Sequence, residues 1–226
     1  MNQIFVFIIL ICLLLPSCNS APPTVKPEQV TVQYTAASIP WLMELNSCAG
    51  GVVVRTEQVG AEYLDPQFAN MFIRIGKPAA TTSFVYQIGT EDLLVIVNHK
   101  NPISKLSADQ VKGLFIGQIN NWKAINGTDA STQVWVFPAS EDIQDVFNQT
   151  ILQGSPVTSA ARMANSPDEM LQALGKNVNA IGIITRRLKA GNITDVFTAA
   201  SSLPVLAISS SKPQGAVAHI LACMQK

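Results

Sequence analysis

Three consecutive polar residues at a predicted helix start carry the clearest binding chemistry in this chain. Ser140, Glu141 and Asp142 follow the strand-like run TQVWVFP and open the helical pattern SEDIQDVFNQTILQG. Ser140 is predicted to cap the helix, and the two carboxylates then lie in its first turn, where the helix dipole favours negative charge. The same side chains accept hydrogen bonds, so they suit a neutral polyol or an amine and repel an anion. Two interpretations stay open: a binding site, or the capping of an exposed helix.

Motifs for metal binding or catalysis do not occur in the sequence. The two histidines, His99 and His219, have no spacing of the metal-ligand type, so we expect no metal site and no cofactor. Neither a Gly-x-Ser-x-Gly turn nor a glycine-rich phosphate loop is present, so we expect a binding protein and not an enzyme. The alternative is a hydrolase with Glu62 or Asp142 as its base, which requires a strongly perturbed carboxylate pKa.

The N-terminal stretch Met1–Cys18 is apolar and ends on a cysteine. It has the length of a signal peptide, whereas a membrane-spanning helix needs about 20 apolar residues. Its end, Leu15-Pro16-Ser17-Cys18, resembles a bacterial lipobox, which predicts a signal peptide over residues 1–17 and a lipid anchor on Cys18. Residues 18–29 are rich in Pro and Ser and predict a flexible tether. An ordinary cleaved signal peptide is the alternative, and both interpretations place the domain outside the cytoplasm.

The charge composition argues against two classes of partner. The chain has 15 basic and 15 acidic residues and contains no basic run. A neutral surface of this kind argues against nucleic acid and against polybasic lipid binding.

The roughly 208 residues that follow the leader suffice for one large domain or for two of ordinary size. We expect the protein to be a monomer.

Strands and helices alternate along the chain, which predicts an α/β fold with largely parallel sheets. Strands are predicted over residues 30–35, 51–59, 72–76, 93–98, 132–138, 179–188 and 203–209. Helices are predicted over residues 41–48, 64–72, 107–118, 140–154, 166–175 and 215–225. The helix over 64–72 would have Asp65 as its cap. Ser107 begins a capping box with Gln110, and Ser166 caps a helix with Pro167 in its first position.

A block of short motifs covers residues 92–127. Its elements are Val97-Asn98, Asn101-Pro102, Leu106-Ser107, Phe115-Ile116-Gly117 and Asn121-Trp122, followed later by Ala180-Ile181-Gly182-Ile183. Together they resemble the phosphate-binding subfamily of extracellular solute-binding proteins. The resemblance implies a two-lobed, type II periplasmic-binding fold with two crossover strands, in which a ligand binds between the lobes and the lobes close by a hinge motion.

The resemblance also implies a domain division and a biological role. Residues 30–97 and 190–226 would form the first lobe, and residues 98–189 would form the second. The role would be that of the substrate-capture component of an ABC importer, which passes a small solute to a permease. Cys48 and Cys223 would lie in the first and last helices, where an extracytoplasmic compartment permits a disulfide, although two buried free thiols are an equal alternative.

Four loops would face the ligand in such a protein. The candidate residues are Thr35, Ala36, Ala37 and Ser38 in the first loop, Gly60 in the second, Lys77 in the third, and Ser140, Glu141 and Asp142 in the fourth. In the fourth loop the family has an Arg and then Ser-Gly-Thr, whereas this chain has two carboxylates, which oppose a phosphate. We therefore expect a cleft that departs from the phosphate signature and disfavours phosphate.

Two further features near the predicted cleft leave alternatives open. Trp41 either stacks on a ligand or packs into the core, and Arg186-Arg187 is predicted to be a solvated pair. Two functions remain: a solute-binding component, and a sensor or protein-interaction lipoprotein with a degenerate cleft. A hydroxyl-lined pocket would favour the first function, and an exposed apolar patch at the cleft mouth would favour the second.

Overall fold

The computed structural model describes residues 28–63, 67–76 and 84–226. The strands within these ranges are β1 (Gln29–Tyr34), β2 (Val53–Gln58), β3 (Met71–Ile75), β4 (Phe84–Glu91), β5 (Leu93–Asn98), β6 (Gln133–Val136), β7 (Arg162–Met163), β8 (Ala180–Thr185), β9 (Ile193–Thr198) and β10 (Leu203–Ser209). The α-helices are α1 (Leu42–Ser47), α2 (Ala108–Phe115), α3 (Asp142–Thr150), α4 (Pro167–Lys176) and α5 (Gly215–Met224). Short 3-10 helices cover Ala36–Trp41, Ala61–Tyr63, Trp122–Ile125 and Arg186–Leu188. None of the helices in the described ranges has the length and apolar character needed to cross a membrane.

Two five-stranded sheets organise the described residues and confirm the α/β class. The first sheet has the order β2-β1-β3-β10-β4, and the second has the order β7-β6-β8-β5-β9. Each of these sheets combines two parallel pairings with two antiparallel ones, so the described part of the fold does not have the predicted parallel majority. The antiparallel pairings arise at the strands that lead from one sheet to the other, whose direction the alternation of elements does not reveal.

The chain passes between the sheets twice. Only Asp92 separates β4 of the first sheet from β5 of the second, and residues 199–202 connect β9 of the second sheet to β10 of the first. Both β5 and β9 pair within the second sheet, whereas the sequence-based division assigns residues 30–97 and 190–226 to the first lobe. Apolar strands such as β5 look alike in either sheet. The lobe boundaries stay a prediction, and sheet membership favours boundaries near residues 92 and 199.

Local capping signals set two of the helix starts as predicted. Gln110 donates its backbone N–H to Ser107 Oγ while its side chain accepts from the Ser107 backbone N–H, which completes the capping box of α2. Ser166 accepts from the Glu169 backbone N–H at the start of α4, and Pro167 takes the first helical position. Each such cap stabilises a helix by about 1 kcal/mol because it satisfies an amide that the helix itself leaves unpaired.

The helix predicted over residues 64–72 is wrong in its described part. Gln67 and Phe68 form a turn, Asn70 lies in a bend, and Met71 and Phe72 begin β3. The side chain of Phe68 is 71% exposed, so the apolar spacing that favours a helix has no core to pack against. All five residues of β3 are buried between β1 and β10, and this pairing overrides local helix propensity. The predicted cap Asp65 lies outside the described residues, as do residues 1–27 with the proposed lipid site Cys18.

The hydrophobic core runs through both sheets and fixes the position of α3. Most buried apolar side chains form one continuous cluster, and Ile143, Val146 and Phe147 of α3 belong to it. The rings of Phe115 and Phe147 lie 4.6 Å apart between centroids, which fastens α3 to α2. Helix α3 is therefore packed into the common core, and its first residue, Asp142, accepts a hydrogen bond from Ile75 of β3.

A disulfide links the two helices at the ends of the part of the chain that builds the first sheet. Cys48, which ends α1, is bonded to Cys223 of α5, and their Cα atoms are 5.6 Å apart. The structure thus has the bonded alternative of the two that the sequence leaves open. The bond ties the first helix to the last across 175 positions of the chain.

Candidate functional site

The first candidate loop lies at the carboxyl end of β1. Thr35 precedes the 3-10 helix Ala36–Trp41, and the side chains of Thr35, Ala36, Ala37 and Ser38 are all buried. Ser38 Oγ lies 2.8 Å and 3.1 Å from the carbonyl oxygens of Thr35 and Ile73, to which it donates. Ser38 therefore fastens the loop to β3, while the hydroxyl of Thr35 points towards α3.

Asp142 connects the elements on the two sides of the candidate cleft, which lies between the two sheets. It is fully buried, and its Oδ2 accepts from Thr35 Oγ1 at 2.6 Å and from the Ile75 backbone N–H at 2.6 Å. Thr35 follows β1 and Ile75 ends β3 at the same edge of the first sheet, whereas Asp142 is the first residue of α3, which follows a strand of the second sheet. One carboxylate oxygen thus joins the two sheet regions across the cleft.

The predicted capping role of Ser140 is wrong. Helix α3 begins at Asp142, and its cap position belongs to Glu141, whose side chain makes no capping hydrogen bond. The Ser140 carbonyl instead accepts from the Ala61 backbone N–H at 2.7 Å, and a Cβ added at Gly60 would lie 3.1 Å from Ser140 Cβ. Gly60 and Ser140 therefore contact each other across the cleft. The helix starts later than predicted because Ala139 and Ser140 form a turn, in which the Glu141 backbone N–H donates to the Pro138 carbonyl at 3.0 Å.

Glu141 has an unusual electrostatic environment. Only 9% of this residue is exposed. Burial and, to a lesser extent, the Asp142 carboxylate together raise the pKa of Glu141 from 4.5 to about 7, against the effect of a backbone hydrogen bond from Ala36. Burial likewise raises the pKa of Asp142, against the effect of its hydrogen bond from Thr35. Burial therefore disfavours the charged form of both adjacent carboxylates, and a negative charge on Asp142 makes ionisation of Glu141 less favourable still.

Three acceptor-bearing side chains at this site have an oxygen that pairs with nothing in the described part of the chain. These buried oxygens are Glu141 Oε2, Asp142 Oδ1 and Thr185 Oγ1. Thr185 ends β8, and its side chain and that of Glu141 line one cavity of about 10 Å³ together with Ala36 and Phe137. A volume of this size holds about one water-sized group. The arrangement can accept hydrogen bonds from a small donor.

Arg74 is a site residue that the sequence reasoning missed. It lies in β3, is 8% exposed, and its positive charge acts to lower the pKa of Asp142. It lines an open cavity of about 200 Å³ with Glu62, Ser140 and Glu141. The sequence did contain a signal for Arg74, since it is a single basic residue inside the otherwise apolar run MFIRI. A charge buried in such a strand needs an opposite charge nearby, which indicates a site.

The structure thus brings together most of the predicted site residues. Thr35, Ala36 and Ala37 meet Ser140, Glu141 and Asp142, with Gly60 against Ser140. Ser38 lies behind the loop, and Lys77 lies outside the described residues. No group of three or more metal-ligating side chains occurs in residues 28–63, 67–76 and 84–226.

A comparison with known families decides the relationship. Residues 70–221 match the family model described as a PBP superfamily domain, which spans more than half of the chain. The chain belongs to the PBP superfamily. The phosphate-binding-like resemblance and the type II periplasmic-binding fold are confirmed.

Solved structures show the same fold as this PBP-superfamily chain. One is described as a phosphate ABC transporter substrate-binding protein with bound phosphate from Clostridium perfringens, with a TM-score of 0.79, 16% identity, and coverage of 87% of this chain and 93% of that one. Another is an ABC-type phosphate transport receptor from Vibrio cholerae, with a TM-score of 0.69, 20% identity, and coverage of 87% and 93%. A third is the reduced OxyR regulatory domain from Pseudomonas aeruginosa, with a TM-score of 0.62, 10% identity, and coverage of 88% and 98%. Proteins described as transport components and as a regulatory domain thus share this fold, so the fold alone does not distinguish between the two roles.

In this PBP-superfamily protein Trp41 stacks on a cation from its own chain. Trp41 is 3% exposed, and the guanidinium of Arg187 lies 4.0 Å from its ring centroid. Arg187 also contacts Glu44 Oε1 at 2.7 Å and Glu91 Oε2 at 3.6 Å. The predicted solvated arginine pair is exposed to solvent as expected, but both residues are also ion-paired, since Arg186 Nε lies 2.8 Å from Asp92 Oδ2. These contacts fasten the residues after β8 to the end of β4, where the chain first crosses between the sheets.

Replacing Gly89 with alanine is expected to disturb this contact. An added Cβ would lie 1.9 Å from Trp41 Cη2, so the indole that stacks on Arg187 has to move. Overpacking of this kind costs about 1 to 3 kcal/mol. Urea unfolding of Gly89→Ala should show that loss. Gly175→Ala is the matched control, because no atom lies within 4 Å of its added Cβ. Equal stability of Gly89→Ala and the wild type would contradict the packing.

Proposed function

We propose that the protein is an extracytoplasmic solute-binding component of an ABC importer. Membership of the PBP superfamily supports this role, as does the fold shared with two proteins described as phosphate transport components. A cleft between two sheet regions joined by two short crossovers is the arrangement in which hinge closure captures a solute. The chemistry is binding and not catalysis, and the partners are a small solute and a permease. The protein acts as a monomer without a cofactor.

The proposal includes a membrane anchor. Leu15-Pro16-Ser17-Cys18 supports lipidation of Cys18, after which residues 18–29 act as a tether between the membrane and the domain. The balanced charge of the chain supports a role away from nucleic acid. An extracytoplasmic location also suits the disulfide between Cys48 and Cys223.

The proposed solute carries hydrogen-bond donors and no negative charge. One observation carries this step: Glu141 and Asp142 place two buried carboxylates at the cleft, and each has an oxygen that pairs with nothing in the described ranges. A buried acceptor without a donor costs about 1 to 3 kcal/mol, and an amine or polyol relieves that cost whereas phosphate adds repulsion. The hydroxyl of Thr185 adds a third contact on the same cavity as Glu141. The cleft therefore departs from phosphate recognition.

A second candidate is a sensor or protein-interaction lipoprotein with a degenerate cleft. The specific observation that favours it is the cavity of only about 10 Å³ beside Glu141 and Thr185. A site of that size takes one small group, whereas ligand pockets usually measure roughly 300 to 1,000 Å³. A solute-binding component with this small cavity would need its lobes to open before a solute could enter.

A thermal-shift series separates the two candidates. The probes are inorganic phosphate, sulfate, primary amines, polyamines, sugars and polyols. A solute at 100 times its Kd stabilises a protein by about 2.7 kcal/mol, which raises the Tm by roughly 5 to 10 °C at this size. We expect a shift with an amine or a polyol, a smaller one in Glu141→Gln, and an unchanged one in Asp168→Asn, whose carboxylate is exposed in the first turn of α4. A shift with phosphate would contradict the solute class, and no shift with any probe would favour the second candidate.

A further inference from the structure

We propose that Asp142 is an internal ligand: its carboxylate takes the place of a bound oxyanion and closes the cleft without a solute. The inference rests on the proposed function, since it names the residue that excludes anions from that same cleft. It makes Asp142 the determinant of specificity, and it predicts that removing this one carboxylate uncovers an oxyanion site.

The contacts of Asp142 are those that an oxyanion would make. A carboxylate oxygen and a phosphate or sulfate oxygen accept the same charge-assisted hydrogen bonds. Here a single oxygen, Oδ2, accepts at 2.6 Å from both a hydroxyl and a backbone N–H. The donors, Thr35 and Ile75, end two adjacent parallel strands, and open α/β sheets bind ligands at that edge.

The surroundings of Asp142 carry the matching charge. Arg74, the neighbour of Ile75 in β3, is buried, its positive charge acts on the Asp142 carboxylate, and its Nε has no hydrogen-bond partner among the described residues. Without the carboxylate, the Thr35 hydroxyl and the Ile75 N–H would remain buried and directed at one place, within the field of the buried Arg74 cation. Buried donors that lack an acceptor are costly, so the site would gain from taking an external anion.

The same two hydrogen bonds account for a closed cleft. They connect loops of the first sheet to the helix that follows β6 of the second sheet, and the Ala61 to Ser140 backbone bond of 2.7 Å lies alongside them. A protein that closes around its ligand needs contacts from both lobes to that ligand. Asp142 supplies those contacts from within the chain, so closure does not wait for a solute.

Titration of the protein with inorganic phosphate and with sulfate tests the inference. We expect Asp142→Ala to bind at least one of the two with a Kd at least about 100-fold below that of the wild type, because both donors and the Arg74 charge become available. Asp142→Asn should not gain this binding, since its amide oxygen still occupies the donors. Asp145→Ala is the matched control. It removes one negative charge from the first turn of the same helix and leaves Thr35 and Ile75 bonded.

A second measurement covers closure. Small-angle scattering without solute should give a larger radius of gyration for Asp142→Ala than for the wild type and for Asp142→Asn. If Asp142→Ala does not fold, Asp142→Ser replaces it in both experiments, since a short hydroxyl also leaves space for an anion. Binding gained by Asp145→Ala as well would show a charge effect alone and overturn the inference. A folded Asp142→Ala or Asp142→Ser that gains no anion binding overturns it too.

The two proposals fail in different ways. If the wild type binds phosphate as tightly as Asp142→Ala, both the internal-ligand inference and the proposed solute class are wrong. If the wild type responds to no amine or polyol but Asp142→Ala gains phosphate binding, the internal ligand stands and the solute-binding role fails. If the wild type binds an amine and Asp142→Ala gains no anion, the inference alone fails.

Discussion

Replacing Cys48 and Cys223 together with alanine is expected to lower the free energy of unfolding by about 5 kcal/mol. The disulfide joins residues 175 positions apart, and a loop of that length loses much conformational freedom in the unfolded chain when it is closed. The loop-entropy relation gives about 5 kcal/mol at 25 °C, near the upper end of what native disulfides contribute. The loss is large against the 5 to 15 kcal/mol total stability of an ordinary domain.

Urea unfolding with and without a thiol reductant measures this effect. We expect the reduced wild type and Cys48→Ala/Cys223→Ala to unfold at the same, lower urea concentration. The double variant should show no further change on reduction, which controls for effects on the remaining cysteines. Because both partners lie in helices beside the first sheet, the cleft contacts of Asp142 should persist in the double variant. Equal unfolding midpoints for the oxidised and reduced wild type would contradict the prediction.

Glu141→Gln is expected to remove about 3 kcal/mol of pH dependence from the stability. The pKa of Glu141 is raised from 4.5 to about 7 in the folded protein, so the folded state holds this proton more tightly than the unfolded chain does. The unfolding free energy therefore falls as the pH rises from about 4.5 to 7. Below this window there is no penalty, and above it the penalty is complete. Each unit of pKa corresponds to about 1.4 kcal/mol, which gives the stated size.

Urea unfolding between pH 4.5 and 8 measures the difference between Glu141→Gln and the wild type. The two proteins should differ little at the acid end, and the variant should be more stable above pH 7. Asp168→Asn is the control, since Asp168 is an exposed carboxylate in the first turn of α4. A difference between wild type and Glu141→Gln that does not vary with pH would show that Glu141 titrates alike in the folded and unfolded states.

The pH dependence also bears on the solute. Ionised Glu141 has a buried oxygen that pairs with nothing in the described residues, so a donor-bearing solute should relieve the penalty that accumulates towards pH 7. The solute-induced rise in Tm is therefore expected to grow over the same interval in the wild type. In Glu141→Gln it should stay flat.

Local signals predicted the parts of the fold that depend on nearby residues. Ser107 with Gln110 and Ser166 with Pro167 mark real helix starts, because a cap and its partner lie within three positions of each other. The helix predicted over residues 64–72 fails for the opposite reason. Met71 and Phe72 are buried by pairing with β1 and β10, and no window around them contains those partners. Strand β9, which the patterns did not reveal, pairs within the described ranges with β5, nearly 100 positions away.

The candidate site divides in the same way. The sequence by itself was enough to recognise the family motifs over residues 92–127. It also showed two carboxylates at a helix start, where an anion-binding protein would have uncharged residues. Only the tertiary structure decided what those carboxylates do. Asp142 meets Thr35 across 107 positions and Ile75 across 67, and both contacts depend on two sheets being held together by a common core. A helix-start carboxylate has the same local sequence whether it faces water or closes a cleft. Burial, which depends on the whole fold, separates the two.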